Sequence, residues 1–233
     1  MTTVQAIYYT HRTSEWHRFA TDLGLVPAFA PSPEWAEFDG DGILAIHSAD
    51  HDPAHAGSAD IHVLVEDLDA VEAALRATGA VVSRDDMEGV GSVVTARAST
   101  GITVTASRGE RDTHGDLRVL PIWSQGGTDE AVDILRALGL RERIRSDSGT
   151  WVDFRGDTGG LAAFHSGMGE AVSLSFEFAG DLDALAKRLT EAGHETSLVD
   201  EAYNRTLLVR TPDDGELWIN GPITDLYGYR RAD

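Results

Sequence analysis

The chain has 233 residues, 42% of them apolar and 25% charged, an ordinary globular composition that suits one large domain or two of about 115 residues. It carries 39 acidic against 19 basic residues, a net charge of −20, and no cysteine. Disulfide staples, thiolate metal sites and a cysteine nucleophile are thereby excluded. Nucleic acid and anionic membrane are poor partners, because both are gripped by clustered Lys and Arg. There is no apolar run of about 18 residues, and the first eight residues lack the basic start and apolar core of an export signal. A cytoplasmic location is expected.

In chain order, a β-like run at 4–10 precedes a helix whose apolar positions are Trp16, Phe19, Ala20 and Leu23, ending at Gly24. Strand-like runs follow at 35–38, 43–47 and 61–65, then a helix through Leu68, Val71 and Leu75 that stops at Gly79, then runs at 93–96 and 102–106. The order then recurs. A run at 117–123 leads to a helix through Ala131, Ile134, Leu135 and Leu138 before Gly139, with runs at 151–154, 161–165 and 172–178. The last helix holds Leu182, Leu185 and Leu189 before Gly193, and runs at 206–210 and 217–220 close the chain. Apolar residues spaced three and four apart mark the helices, and a glycine just past the last turn takes the left-handed C-cap without a Cβ clash. Thr13 or Ser14, Asp67, Thr128 and Asp181 are the expected N-caps, each offering an oxygen to the unpaired N–H groups of the first turn.

Self-similarity organises these elements. Trp35, Phe38 and His47 recur as Trp151, Phe154 and His165; Asp22-Leu-Gly-Leu25 recurs as Ala137-Leu-Gly-Leu140; and Asp67-Leu-Asp-Ala70 recurs as Asp181-Leu-Asp-Ala184. Matches in one order, at nearly constant spacing, read as a tandem duplication. The expected organisation is a first domain at 1–108, a polar, Gly-bounded linker at 109–116 and a second domain at 117–233. One strand, one helix and two or three further strands, four times over, give an α+β fold of tandem βαβββ modules, four modules in two cup-shaped domains. Helices would cover one sheet face and leave the other for a cavity. A ferredoxin-like tandem shares the β-α-β opening, but three strands after each helix favour the four-module arrangement.

The segments Phe19-Ala-Thr-Asp-Leu-Gly-Leu25, Leu44-Ala-Ile-His47, His62-Val-Leu-Val-Glu-Asp-Leu68 and Thr211-Pro-Asp-Asp-Gly215 resemble the vicinal oxygen chelate superfamily of glyoxalase, bleomycin-resistance and extradiol dioxygenase-like proteins. The resemblance covers about residues 4–107 and 117–222. It implies two cups per chain, each able to enclose a small molecule. Active members bind a divalent metal through His, Gln or Glu on the first strand of each module and the last strand of a module. In the first half those slots correspond to Gln5, Asp60, with His62 one pleat further on, and Thr105 in the place of a carboxylate. In the second half they correspond to Leu120, Leu174 and Ile219, none of which binds a metal. The resemblance therefore implies no resident cofactor in the second domain and admits a divalent metal only in the first, with Gln5, Asp60 and His62 as its ligands.

Other residues bear on a ligand. Trp35 with Glu37, and Trp151 with Asp153, sit two apart and share a strand face. Each pair offers an aromatic surface and an acidic group suited to a cationic or amine-bearing ligand, the competing role of the tryptophans being to seal sheet against helix. His47 and His165 repeat each other and either line the cups or pack. His47, His51 and His55 are spaced four apart, but Pro53 makes their segment a loop, so that spacing carries no fixed ligand geometry. Asn204-Arg-Thr206 matches a glycosylation acceptor, idle without export. The resulting expectation is a small-molecule-binding or sequestering protein that works without metal, monomeric or homodimeric. The alternative is a metal-dependent lyase, isomerase or dioxygenase using the first cup. A third reading is a metal-free enzyme with His62 or Glu37 as general base.

Overall fold

The computed structural model describes all residues except 88, 128, 168, 202–203, 224–225 and 233. The first half contains β1 (Thr2–Thr10), α1 (Thr13–Asp22), β2 (Val26–Pro27), β3 (Trp35–Gly40), β4 (Gly42–Ser48), β5 (Ala59–Val65), α2 (Leu68–Ala77), β6 (Val81–Met87), β7 (Gly91–Arg97) and β8 (Thr103–Arg108). The second contains β9 (Leu117–Val119), β10 (Ile122–Gln125), α3 (Asp129–Ala137), β11 (Arg141–Ser146), β12 (Trp151–Arg155), β13 (Leu161–Ser166), β14 (Ala171–Ser173), β15 (Ser175–Phe178), α4 (Leu182–Glu191), β16 (Thr196–Asp200), β17 (Arg205–Arg210), β18 (Glu216–Asn220) and β19 (Tyr229–Arg231). The order is that of βαβββ modules. Gly24, Gly79, Gly139 and Gly193, the four glycines that end the helices, all have positive φ, between 86° and 96°, so a side chain there is strained. Asp67 and Asp181 accept from the first-turn N–H groups of α2 and α4. The expected cap at Thr13 or Ser14 is not formed: Arg12 is the N-cap residue and makes no side-chain cap bond. Its own N–H is bound by Thr10 Oγ1 at 2.9 Å. Thr128 lies outside the described residues.

The first half makes one eight-stranded sheet, ordered β2-β3-β4-β1-β5-β8-β7-β6, and the second makes two, β14-β10-β13-β12-β11-β19 and β16-β17-β18-β15-β9. Proline causes part of this difference. Pro121 has no N–H to offer a ladder, so the single run expected at 117–123 is two strands in different sheets, and 172–178 divides likewise at Leu174. Alternation then sets the faces. Val4, Ala6 and Tyr8 of β1 pack in one core with Trp16 and Phe19 of α1, while Gln5 and Ile7 take the opposite face.

The two halves share that core and are stitched reciprocally. The β3–β4 hairpin tip pairs with β9 (Asp41 N to Leu117 O, Val119 N to Asp41 O, both 2.9 Å), and the β12–β13 tip pairs with β1 (Val4 N to Gly159 O, 3.0 Å). Gly42 requires its lack of a side chain: φ is +93°, and a Cβ would lie 2.7 Å from the Cα of Gly160. Residues 109–116 are not a free tether. Thr113 is buried, accepting from Gly42 N at 2.9 Å and donating to Thr158 O at 3.0 Å.

A further clasp joins α1 to the turn before β18. The Asp213 carboxylate accepts from Tyr8 Oη (3.1 Å), Thr10 Oγ1 (2.8 Å) and Trp16 Nε1 (2.6 Å). Burial first, and then the nearby carboxylate, pushes the Tyr8 hydroxyl pKa up, so it stays a donor. Asp213→Ala leaves three donors without their acceptor and is expected to lower unfolding free energy by about 2 kcal/mol. Urea denaturation checks this, and an unchanged midpoint would rule the clasp out as a stabilising contact.

Candidate functional site

In the first half, register decides which candidates meet. Gln5 is opposite His62 on β5, and His62 is opposite Thr105 on β8, so these three form one row across the sheet. Asp60 is opposite Ile7, one pleat away. In this register it is His62, and not Asp60, that stands beside Gln5. Both nitrogens of His62 are engaged, Nδ1 with Thr105 Oγ1 at 2.7 Å and Nε2 with Ser107 Oγ at 2.9 Å. Burial disfavours the imidazolium and pushes its pKa down to about 4. Asp60 accepts from the Tyr9 hydroxyl at 2.9 Å. Burial raises its carboxyl against that hydrogen bond.

Trp35, Glu37 and His47 share the same face of β3 and β4, with Trp35 and His47 opposite each other and their rings 5.5 Å apart, edge to face. Glu37 accepts from Trp35 Nε1 at 3.2 Å and is bound by Arg111 at 2.6 Å, a guanidinium that also reaches Asp39 at 3.1 Å. The acidic group expected to meet a cationic ligand is already matched by a cation of the chain. His47 donates Nδ1 to Ser48 O at 2.7 Å. His51 and His55 stand on the β4–β5 connection beside Glu34 and Asp52. Among the described residues no group of three or more His, Asp or Glu is placed to hold a metal.

In the second half, Trp151, Asp153 and His165 line a cavity of about 410 Å³. Trp151 and His165 repeat the geometry of Trp35 and His47, opposite in register with rings 6.0 Å apart. The six-stranded sheet contributes these residues with Ile122 and Ser124; the five-stranded sheet contributes Ser175, Glu177, Trp218 and Asn220. Of the three second-half slots, Leu120 and Leu174 line the cavity. Ile219 does not: it is fully buried in the core, on the face opposite Trp218 and Asn220. A one-residue error of register moves a side chain to the other face.

One cavity-lining residue of consequence escaped the sequence reading. Arg143 lies on β11, a strand absent from the expected elements because Arg-Glu-Arg-Ile-Arg-Ser has little apolar alternation. The β11–β12 register slips there: Glu142 opposes Phe154 and Ile144 opposes Asp153, leaving Arg143 in a bulge. Bulges re-aim side chains, and this one turns Arg143 onto two carboxylates. It binds Asp153 through Nε and Nη2 at 3.0 and 2.8 Å, and Glu177 through Nη1 and Nη2 at 2.9 and 2.7 Å. Arg118 links Glu177 to Asp41, which also takes Arg155 at 3.1 Å. Three carboxylates face three guanidiniums, so the cluster is neutral. Burial pushes the Asp153 carboxyl up despite Arg143. Burial acts the same way on Glu177, but Arg143 and Arg118 outweigh it and hold that carboxyl below its ordinary range.

Among the described residues, neither of these rows fits a resident cation. The first-half row offers one strong ligand, whose two nitrogens both face hydroxyls. The corresponding second-half neighbours are Leu120, whose N–H bonds Ser175 O, then Ser175, then Trp218 opposite it. Metal sites of this kind need three or four N, O or S ligands around the ion, and these rows do not supply them.

No family model and no curated protein sequence matches the chain. Solved structures do. A 2,3-dioxygenase from Pseudomonas sp. KL28 superposes with a TM-score of 0.63 at 16% identity, covering 99% of this chain and 92% of that one. A catechol 2,3-dioxygenase gives 0.63 at 15% identity, covering 95% and 92%. The homoprotocatechuate 2,3-dioxygenase of Arthrobacter globiformis gives 0.60 at 13%, covering 98% and 79%. Identity this low speaks for the fold alone: the chain shares the fold of these dioxygenases.

Proposed function

We propose that this chain is a small-molecule-binding protein whose ligand seat is the second-half cavity and whose binding needs no resident metal. The cavity itself carries the reading. Its volume of about 410 Å³ is within the range of sites for drug-sized molecules, and its mixture of apolar wall and few polar groups is what such sites use. The row that would hold a cation there is Leu120, Ser175 and Trp218, while Arg111 lies over the acidic group of the other half. The acidic surface supports a small ligand over nucleic acid or anionic membrane. No described helix is long and apolar enough to cross a membrane.

A second reading has its own support. The similar structures are dioxygenases by name, and an enzyme fits that company better than a sequestering protein does. That reading would use the first half, where Gln5 and His62 share one row, and it needs ligands beyond that row. One experiment separates the two. Chelator-treated protein is screened by ligand-observed NMR against a fragment library, in parallel with an Ile122→Trp variant that fills the cavity and is checked for an unchanged melting profile. The binding reading expects hits with the native protein that are lost in the variant. Hits that appear only after adding ferrous or manganous ion, or oxygen uptake with catechol under those conditions, favour the enzyme.

A further inference from the structure

The chain has five tryptophans, and four indole N–H groups have acceptors within the protein. Trp16 donates to Asp213 at 2.6 Å, Trp35 to Glu37 at 3.2 Å, Trp123 to Gln125 at 2.9 Å and Trp218 to Glu216 at 3.0 Å. Three of these use one local device: a carboxylate or amide two residues away on the same strand face. Trp151 has Asp153 at that spacing. Aspartate is a methylene shorter than glutamate, and its oxygens are taken by Arg143 and by Ile144 N at 3.0 Å. Trp151 Nε1 is consequently buried with no acceptor among the described residues.

Asn204, between β16 and β17, supplies the complement. Its Nδ2 donates to Gly221 O at 2.8 Å, while its buried Oδ1 has no donor among the described residues. Both residues line the second-half cavity. Two residues of one cavity thus carry an unpaired polar atom, a donor on one sheet and an acceptor beside the other, each atom itself buried, where buried polar groups are normally paired. The indoles of Trp151 and Trp218, with Leu120, Ile122 and Leu174, give flat and apolar walls. Arg143, Asp153 and Glu177 belong to a charge-balanced cluster and so offer a ligand no unmatched charge, while Glu216, which also lines the cavity with Glu201, is engaged by Trp218 Nε1.

We propose that the cavity takes an uncharged, planar heteroaromatic molecule that accepts a hydrogen bond from Trp151 Nε1 and donates one to Asn204 Oδ1. The assignment rests on the binding reading above and specifies its ligand class.

The test uses three probes of equal ring size. 2-Quinolinone and 4-quinolinone carry an N–H donor and a carbonyl acceptor at two different spacings, and naphthalene carries neither. Native protein is expected to bind at least one quinolinone about tenfold more tightly than naphthalene, the factor that a hydrogen bond to an otherwise unpaired buried group supplies. In ¹⁵N-labelled protein the indole signal that Trp151→Phe removes is expected to shift on binding. That variant keeps an aromatic ring but loses part of the wall, so it is expected to weaken naphthalene and both quinolinones alike through lost contact area and, beyond that, to lose the quinolinone preference; Asn204→Ser is expected to weaken the preference too. Equal affinity for all three probes, a preference that survives in Trp151→Phe, or an unmoved indole signal overturns the assignment. So does the failure of all three to bind, and the broader binding reading falls with it only if the fragment screen is also blank.

Discussion

Replacing Arg143 with methionine is expected to lower the unfolding free energy at pH 7.5 by about 3–5 kcal/mol, the cost of removing one partner from a buried ion pair. Asp153 and Glu177 are only 1% and 3% exposed, and Arg143 is the cation that touches both. Methionine fills much of the same volume, so the loss is electrostatic before it is a packing defect. Glu177 keeps Arg118. Among the described residues Asp153 keeps the Ile144 N–H alone, and its carboxyl, already raised by burial, rises further without its guanidinium. A folded-state carboxyl pKa above the unfolded value means stability that is present at low pH and lost as pH rises. The gap between native and variant should therefore be widest near neutrality and narrow as pH falls toward 4. Urea melts at pH 7.5 and 5 read this directly, and adding Asp153→Asn to the variant should recover part of the loss. A variant within 1 kcal/mol of native at pH 7.5, a bound set by ordinary surface substitutions, would show the cluster to be dispensable.

The same residue marks where sequence reading stopped. Periodicity located all four helices, and glycine placed their ends, because both are local properties of the chain. The repeated Trp and His positions were legible for the same reason, and their cross-strand pairing in both halves follows from the shared hairpin. The edge strands β6 and β16 were not legible: Val-Val-Ser-Arg-Asp-Asp-Met and Thr-Ser-Leu-Val-Asp are mostly exposed and lack an inner face to write an alternation into the sequence. β11 hid behind charges whose burial depends on partners 10 and 34 positions away. The bulge that aims Arg143, the placing of His62 rather than Asp60 beside Gln5, and the inward turn of Ile219 are matters of register, and register is settled between strands distant in sequence. Arg111 is a similar case, since nothing in a polar, Gly-bounded segment announces that one of its side chains closes on Glu37.

His62 carries the second large effect, and here the sign is that of a buried base. Its pKa is pushed down to about 4 by burial, against an ordinary value near 6.5, and its engaged neighbours Thr105 and Ser107 bring no charge to offset this. The unfolded chain then binds a proton that the native state refuses between those two values. Stability is fully present above about pH 6.5 and lost as pH falls through about 4, by roughly 3 kcal/mol over that window. Glutamine in place of His62 retains a donor and an acceptor for the two hydroxyls but has no proton to take up, so His62→Gln should remove this component of the acid destabilisation while other groups go on titrating. The quantity to measure is the difference between the two stability profiles from pH 7.5 to 4. Parallel profiles would mean that the imidazole is reached by solvent and titrates freely. That result would also show that the ring is not sealed from solvent, a condition that any ligand or metal at His62 would have to meet.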